Sequence, residues 1–178
     1  MIITGFLGNR YAQKFPLAVS AHIAMEQSYG YIDGDSASLG ELCALISALI
    51  QSPVEQSFAI TGSVNQYGEV QAIGGVNEKI EGFFRLCAAR GLTGKQGVII
   101  PESNRRNLIL KPEVVRAVEE GKFAIHCVRH VDQAIELLLN RPAGEQDADG
   151  NFPEGTVNGD IIERLRRISK LGEDKKTD

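Results

Sequence analysis

Two residues of this chain have the types and the spacing for nucleophilic catalysis, Ser36 and Lys79, which lie 43 residues apart. Ser36 stands in Asp33-Gly34-Asp35-Ser36-Ala37-Ser38, where a polar loop leads into an apolar, helix-like stretch. A serine at that point is a natural helix N-cap, because its oxygen can accept a free backbone N–H of the first turn. The same N–H groups can stabilise the oxyanion of a tetrahedral intermediate if the serine attacks a carbonyl. The motif alone leaves both interpretations open.

A serine nucleophile needs a base, and Lys79 is the better candidate. It follows Gly74-Gly75 and falls in the first turn of a predicted helix, where the positive end of the helix dipole disfavours a cation. Burial and that dipole both favour a neutral amine, which can accept a hydroxyl proton. The alternative is an exposed lysine whose charge is offset by Glu78. Because Ser–Lys pairs are a known variant of serine catalysis, we interpret the two residues together.

Other catalytic chemistries have less support. Of the three histidines, only His22 precedes the Ser36 loop closely enough to serve as a base; the others are His126 and His130. A metallopeptidase is not expected, since the chain has no His-Glu-x-x-His motif and no Cys/His cluster with metal spacing. A thiol hydrolase remains an alternative, although each cysteine lies within an apolar stretch: Cys43, Cys87 and Cys127.

The composition predicts a cytoplasmic protein. The chain has 178 residues, enough for one domain with a substantial core, and three scattered cysteines that fit a reducing compartment. Its formal charge of −4 and its lack of a clustered basic face argue against nucleic acid as a partner. No apolar run approaches the roughly 20 residues that span a bilayer, so no membrane partner is expected.

The hydropathy pattern predicts alternating helices and strands. Apolar residues recur at spacings of two over 17–25, which is typical of a strand, and at spacings of three and four over 37–51, which indicates an amphipathic helix. By the same criteria we predict two strands within 58–73, helices over 77–90, 112–120 and 131–140, and strands over 98–100 and 123–128. This order indicates an α/β (α+β) domain over residues 1–141.

Both ends of the chain have a different character. Residues 142–159 are rich in Gly, Asp, Glu and Pro, so we expect residues 142–178 to form a flexible tail with a short helix over 161–171. The chain begins abruptly at a strand-like Met1-Ile2-Ile3-Thr4, from which we expect a fragment of a longer protein, with a free-standing homologue as the alternative.

Four segments together resemble a known family in order and spacing. They are Asp33 to Ser38, Thr61-Gly62-Ser63-Val64, Gly68 to Lys79, and Val98-Ile99-Ile100-Pro101. They are similar to the proteolytic domain of Lon proteases, in the archaeal-like branch that carries Asp-Ser-Ala-Ser, over roughly residues 17–139. The resemblance implies a single compact fold with mixed small sheets flanked by helices. It also implies a serine endopeptidase with Ser36 as nucleophile and Lys79 as general base.

The resemblance implies further site residues. Thr61 is expected to hydrogen-bond the lysine amine. Asp33 and Asp35 match positions of acidic residues that lie beside the dyad in archaeal-like members. A carboxylate there favours the charged amine, so these aspartates could hold a resting state, with simple loop and cap chemistry as the alternative.

The resemblance also implies partners. Family members join this domain to an AAA+ ATPase and assemble as hexameric rings that degrade unfolded polypeptides. The chain has no Walker motif, so ATP and Mg²⁺ are implied for that module, and no cofactor or metal is implied for this domain. The rival hypothesis is a catalytically silent assembly module of a Lon-like ring.

Overall fold

The computed structural model describes residues 2–25 and 34–174. Its helices are α1 (Ile2–Tyr11), α2 (Ser38–Ile50), α3 (Val76–Arg90), α4 (Pro112–Glu119), α5 (Val131–Leu139) and α6 (Val157–Asp174), with a 3₁₀ helix at Glu102–Asn107. Its strands are β1 (Phe58–Ile60), β2 (Ser63–Val64), β3 (Val70–Gln71), β4 (Gly97–Pro101) and β5 (Ala124–Val128). No described helix is both long and apolar enough to cross a membrane.

The strands form two small sheets of different kinds. A parallel sheet has the order β1-β4-β5, and β2 pairs with β3 in an antiparallel hairpin. The central strand β4 is buried along its whole length, as expected for a strand that is covered on both faces. Parallel strands, a hairpin and flanking helices confirm the mixed α/β class.

Helix α2 lies in the larger core because its apolar residues share one face. Leu39, Leu42, Cys43 and Ile46 recur at spacings of three and four and are all buried. This face joins a core that also contains buried residues of α1, α5 and α6. The predicted helix over 37–51 agrees with α2 within about one residue at either end.

A second core lies between α3 and the parallel sheet. Val76, Ile80 and Phe84 form the buried face of α3 and pack in one cluster with Val98 and Ile100 of β4. Burial of apolar side chains at a spacing of three and four fixes the rotation of α3 about its axis. The helix therefore presents its remaining faces, including Lys79, in defined directions.

Within 58–73 the chain forms three short strands, β1, β2 and β3, where two were expected. It differs from the sequence expectations in three further places. Residues 2–11, expected to be strand-like at their start, form α1, whose Phe6, Leu7 and Tyr11 are buried. Residues 17–25 form no strand, because no described segment pairs with them. Packing overrides local propensity in the first case, and a missing partner prevents a ladder in the second.

The third difference concerns the predicted tail. Ala143 and Phe152 are buried, and α6 places Val157, Ile161 and Leu165 in the larger core. The expected helix over 161–171 is thus longer, and much of the segment predicted to be flexible is packed. The boundary of the proteolytic domain at residue 141 stays a prediction.

Candidate active site

The structure brings Ser36 and Lys79 together. The Nζ atom of Lys79 lies 2.8 Å from Oγ of Ser36, a hydrogen-bond distance. Ser36 is half-buried two residues before α2, while Lys79, in the first turn of α3, is exposed. Burial, one of the two conditions expected to favour a neutral amine, is therefore absent at Lys79. The separation nevertheless allows direct proton transfer between hydroxyl and amine.

Thr61 contacts both members of the pair. Its buried hydroxyl accepts a hydrogen bond from Nζ of Lys79 at 3.3 Å and donates one to the backbone oxygen of Ser36 at 3.2 Å. A hydroxyl can donate one hydrogen and accept others, so both contacts can form at once. The contact expected between Thr61 and the lysine amine is therefore present.

The backbone after β1 holds the Ser36 loop in place. Thr61 N–H donates to the oxygen of Ile99, which extends the pairing with β4. The next N–H, of Gly62, donates to the oxygen of Ser36, and the N–H of Leu39 donates back to Gly62. A Cβ at Gly62 would lie 2.9 Å from Cδ2 of Leu39 and 3.2 Å from Cγ1 of Val70, so a larger residue here would force these buried side chains to shift.

The two helix-start amides nearest to Ser36 in α2 are already engaged. Ser38 N–H donates to the oxygen of Asp35, and Leu39 N–H donates to Gly62. No side chain caps α2, whose N-cap residue is Ala37. The hydroxyl of Ser36 faces Lys79 instead, which does not support the simple N-cap interpretation of Ser36.

Asp35 is directed toward β2. The Ser63 hydroxyl donates to its carboxylate at 2.6 Å, and the neighbouring Ser38 hydroxyl accepts from the N–H of Val64. Among the described residues, no ion pair joins Asp35 to Lys79. This arrangement favours loop and cap chemistry for Asp35. Asp33 lies outside the described residues.

A cavity of about 260 Å³ opens beside the pair. Apolar atoms form most of its lining, which includes Ala37, Ala59, Ile60 and Val98 in addition to Ser36, Thr61 and Lys79. Because β1 supplies two of these residues and leads directly into Thr61, the cavity is a concave surface on which a peptide side chain can lie next to the hydroxyl.

Three of the alternative catalytic groups have environments that do not suit catalysis, and His22 is exposed with no hydrogen bond to Ser36 in the described part of the chain. His126 on β5 packs edge-on against Phe58, with 5.3 Å between ring centroids, and burial lowers its pKa. His130 caps α5 and contacts the backbone oxygen of Tyr67. Burial raises the pKa of Cys43 to about 12, so that its thiol stays protonated at neutral pH.

Sequence reasoning missed two asparagines that hold α3. Asn104 is buried and bonds both backbone groups of Ile73, and Asn77 bonds the backbone at Asn107 and Ile109. Each bond joins residues about thirty positions apart in sequence. No local pattern in the sequence indicates such a contact.

Comparison with known proteins identifies the class of protein to which this fold and site belong. Residues 10–141 match the family model of the Lon protease (S16) C-terminal proteolytic domain. The chain therefore belongs to the Lon protease family.

Individual relatives agree with this assignment. The chain is 58% identical over 170 residues, 96% of its length, to a protein of Escherichia coli (strain K12) named "Putative Lon protease homolog". It is 50% identical over 84% of its length to a protein of Haemophilus influenzae with the same name. It is also 32% identical over 97% of its length to an archaeal Lon protease of Pyrococcus abyssi. The chain spans 28%, 25% and 16% of the lengths of these three relatives.

Proposed function

We propose that this chain is a serine endopeptidase domain in which Ser36 is the nucleophile and Lys79 the general base. The observation that carries the proposal is the 2.8 Å separation between the Ser36 hydroxyl and the Lys79 amine, beside a cavity that can hold a peptide side chain. Family membership supports protease chemistry, and the two groups belong to a pair type that is known to perform it.

The reaction proceeds in two halves. Neutral Lys79 accepts the Ser36 hydroxyl proton while Oγ attacks the scissile carbonyl carbon. The tetrahedral intermediate then collapses as Lys79 gives that proton to the substrate's leaving amine, which departs. Water then attacks the resulting ester and gives a proton to Lys79. The second collapse releases the peptide acid, and the proton returns to Oγ of Ser36. Ser36 and Lys79 are thus restored at the end of the cycle, and one water has been consumed to give the acid and the amine.

Thr61 supports this cycle by orienting the amine. Its hydroxyl supplies Lys79 with a second fixed partner and holds the backbone of Ser36. A long lysine side chain has many rotamers, so two acceptors reduce the conformations in which Nζ misses Oγ. We propose Asp35, through Ser63, as a support for the loop, and we retain Asp33 as an acidic neighbour of the dyad.

The wider role extends beyond these residues. We propose that the substrates are unfolded proteins or peptides delivered by an AAA+ ATPase module, which would use ATP with Mg²⁺, in a cytoplasmic homo-hexamer. We propose no cofactor, nucleic acid or membrane partner for this domain itself. Family membership, together with the small share of each relative that the chain covers, supports a partner module.

The test is cleavage of a fluorogenic unstructured peptide by wild type and by the Ser36→Ala, Lys79→Ala and Ser38→Ala variants. We expect no turnover without Ser36 or Lys79, with melting temperatures near wild type. The matched control, Ser38→Ala, lacks only the hydroxyl that accepts from Val64, and we expect it to lose less than about tenfold. Full activity of Ser36→Ala would overturn the proposal. Silence of wild type in the full-length protein with ATP would favour the assembly module instead.

A further inference from the structure

We propose that Asn104 is a positioning residue that fixes the reach of Lys79 to Ser36, an inference that rests on the proposed function. Asn104 lies in the 3₁₀ helix and is 4% exposed. Its Oδ1 accepts from the N–H of Ile73 and its Nδ2 donates to the oxygen of Ile73, both at 2.9 Å. One side-chain amide thus satisfies both backbone groups of one residue, as a strand neighbour would.

The residue that Asn104 holds lies directly before the start of α3. Gly74 and Gly75 separate Ile73 from the helix, and Gly75 has a left-handed φ of 66°. Glycines restrict the backbone least, so the two residues cannot by themselves fix the direction in which the helix begins. The N–H of Lys79 donates to the oxygen of Gly75, so the first turn of α3 follows that short segment.

A second side-chain amide, that of Asn77, holds the first turn of α3 in place. Asn77 donates through Nδ2 to the oxygen of Asn107 at 3.2 Å and accepts at Oδ1 from the N–H of Ile109 at 3.0 Å. One turn later, Glu81 accepts from the N–H of Lys111. Positions four apart lie on one face of a helix, so residues 104–111 hold both the approach to α3 and one side of it.

A neighbouring side of α3 packs into the second core. Val76 and Ile80 are buried there, whereas Lys79 projects from a different side of the helix and reaches Ser36. With both faces constrained, α3 can neither slide nor rotate freely. A displacement of about 1 Å can cost roughly a hundredfold in rate when reacting groups must be aligned, so these contacts bear on catalysis.

The experiment compares Asn104→Ala, Asn104→Asp and Asn77→Ala in the full-length natural protein, assayed with and without ATP. Asn104→Asp keeps the size and one acceptor but loses the donor to Ile73. Ser103→Ala is the control, since Ser103 is exposed on the same 3₁₀ helix and lies outside the residues that contact α3. We expect kcat to fall about tenfold or more in Asn104→Ala, with KM within about twofold and the control at wild-type rates.

Two further readouts separate positioning from loss of fold. The melting temperature of each variant is measured, and Ser36 is labelled with a fluorophosphonate across pH. We expect slower labelling and an altered pH profile in the Asn104 variants, and a smaller change of the same kind in Asn77→Ala. If Asn104→Ala does not fold, Asn104→Asp and Asn77→Ala carry the comparison.

The outcomes are distinguishable. Wild-type kcat and labelling in a folded Asn104 variant would overturn this inference alone. If kcat and labelling fall only in proportion to the unfolded fraction, Asn104 contributes to stability alone, and this inference is also overturned. Full activity in Ser36→Ala, or wild type without turnover or labelling, would overturn the proposed function and the inference with it.

Discussion

At the residue scale, the candidate site is a chain of hydroxyl and amine contacts around Ser36. Lys79 contacts Ser36 and Thr61, and Thr61 in turn contacts the backbone of Ser36. The triangle closes on itself, so loss of any one group leaves the other two less well oriented. Sequence supplied each residue type and the resemblance supplied the roles, but neither could give the distances.

Removal of the Thr61 hydroxyl tests this triangle. Thr61→Val keeps the shape of the side chain but leaves Lys79 with one partner. We expect kcat to fall about tenfold, because that factor corresponds roughly to the free energy of one hydrogen bond. Thr61→Ser retains the hydroxyl and is the matched control. Peptide turnover at saturating substrate measures the effect. Equal rates for Thr61→Val and wild type would show that the contact has no catalytic role.

The cysteines give a second prediction at this scale. Burial raises the pKa of Cys43 to about 12, so its reactive thiolate is scarce at pH 8. We expect iodoacetamide to leave Cys43 unmodified in the folded protein and to leave peptidase activity unchanged. Peptide mapping by mass spectrometry checks this, with urea-unfolded protein as the control for accessibility. Parallel loss of activity and of the free Cys43 thiol would revive the thiol hydrolase alternative.

At the element scale, the spacing of apolar residues predicted the elements whose apolar residues face a core. Helix α2 and helix α3 agree with their predicted bounds within about one residue, because apolar residues three and four apart require one helix face toward a core. The same reasoning located α4, α5 and the buried strand β4. These elements carry their signal locally, so the sequence is sufficient to find them.

Elements that depend on distant partners were harder to predict. Alternation over 17–25 resembles a strand, but a strand also needs a neighbour to pair with, and no described segment supplies one. Asn104 shows the same limit at the site, since nothing around it indicates that its amide bonds Ile73. Long-range contacts of this kind are set by the fold as a whole.

Strand β5 allows a pH prediction. Burial lowers the pKa of His126, so the folded protein favours the neutral ring while the unfolded chain binds a proton near the ordinary value of about 6.5. The unfolded state therefore holds more protons as the pH falls below that value, and the free energy of unfolding decreases.

This expectation is checked by urea unfolding between pH 8 and pH 5. We expect His126→Gln to lose stability less steeply than wild type on acidification, because glutamine does not titrate. His22→Gln, at an exposed position, is the control. An identical slope for wild type and His126→Gln would mean that burial of the ring does not bear on acid stability.

At the scale of the whole molecule, the first and last described helices belong to one core. The Tyr11 hydroxyl donates to Oδ1 of Asn158 at 2.6 Å, and Asn158 donates to Asp132, which pairs with Arg10. Burial alone would raise the pKa of Asp132, but its hydrogen bond with His130 and the charge of Arg10 lower it. The composition of residues 142–178 did not indicate that α6 packs with α1, since only a few apolar residues of α6 enter the core.

Substitution in α6 tests whether this packing stabilises the whole chain. Ile161 is fully buried, so Ile161→Ala should lower the free energy of unfolding by about 2–5 kcal/mol through lost contacts and a cavity. Arg166→Ala, on the exposed face of the same helix, should change it by less than about 0.5 kcal/mol. Urea denaturation of the two variants measures both. A free energy of unfolding equal to that of wild type in Ile161→Ala would show that α6 does not belong to the folded unit.

The bond between Tyr11 and Asn158 spans 147 residues, which has a consequence for synthesis. A ribosome makes α1 and α2 first, at about 5–20 residues per second, and their buried faces then have no α6 to cover them. For several seconds the nascent chain therefore exposes apolar surface that the finished protein hides. Completion of the larger core is a late event, and the growing chain before it is a natural client for a chaperone.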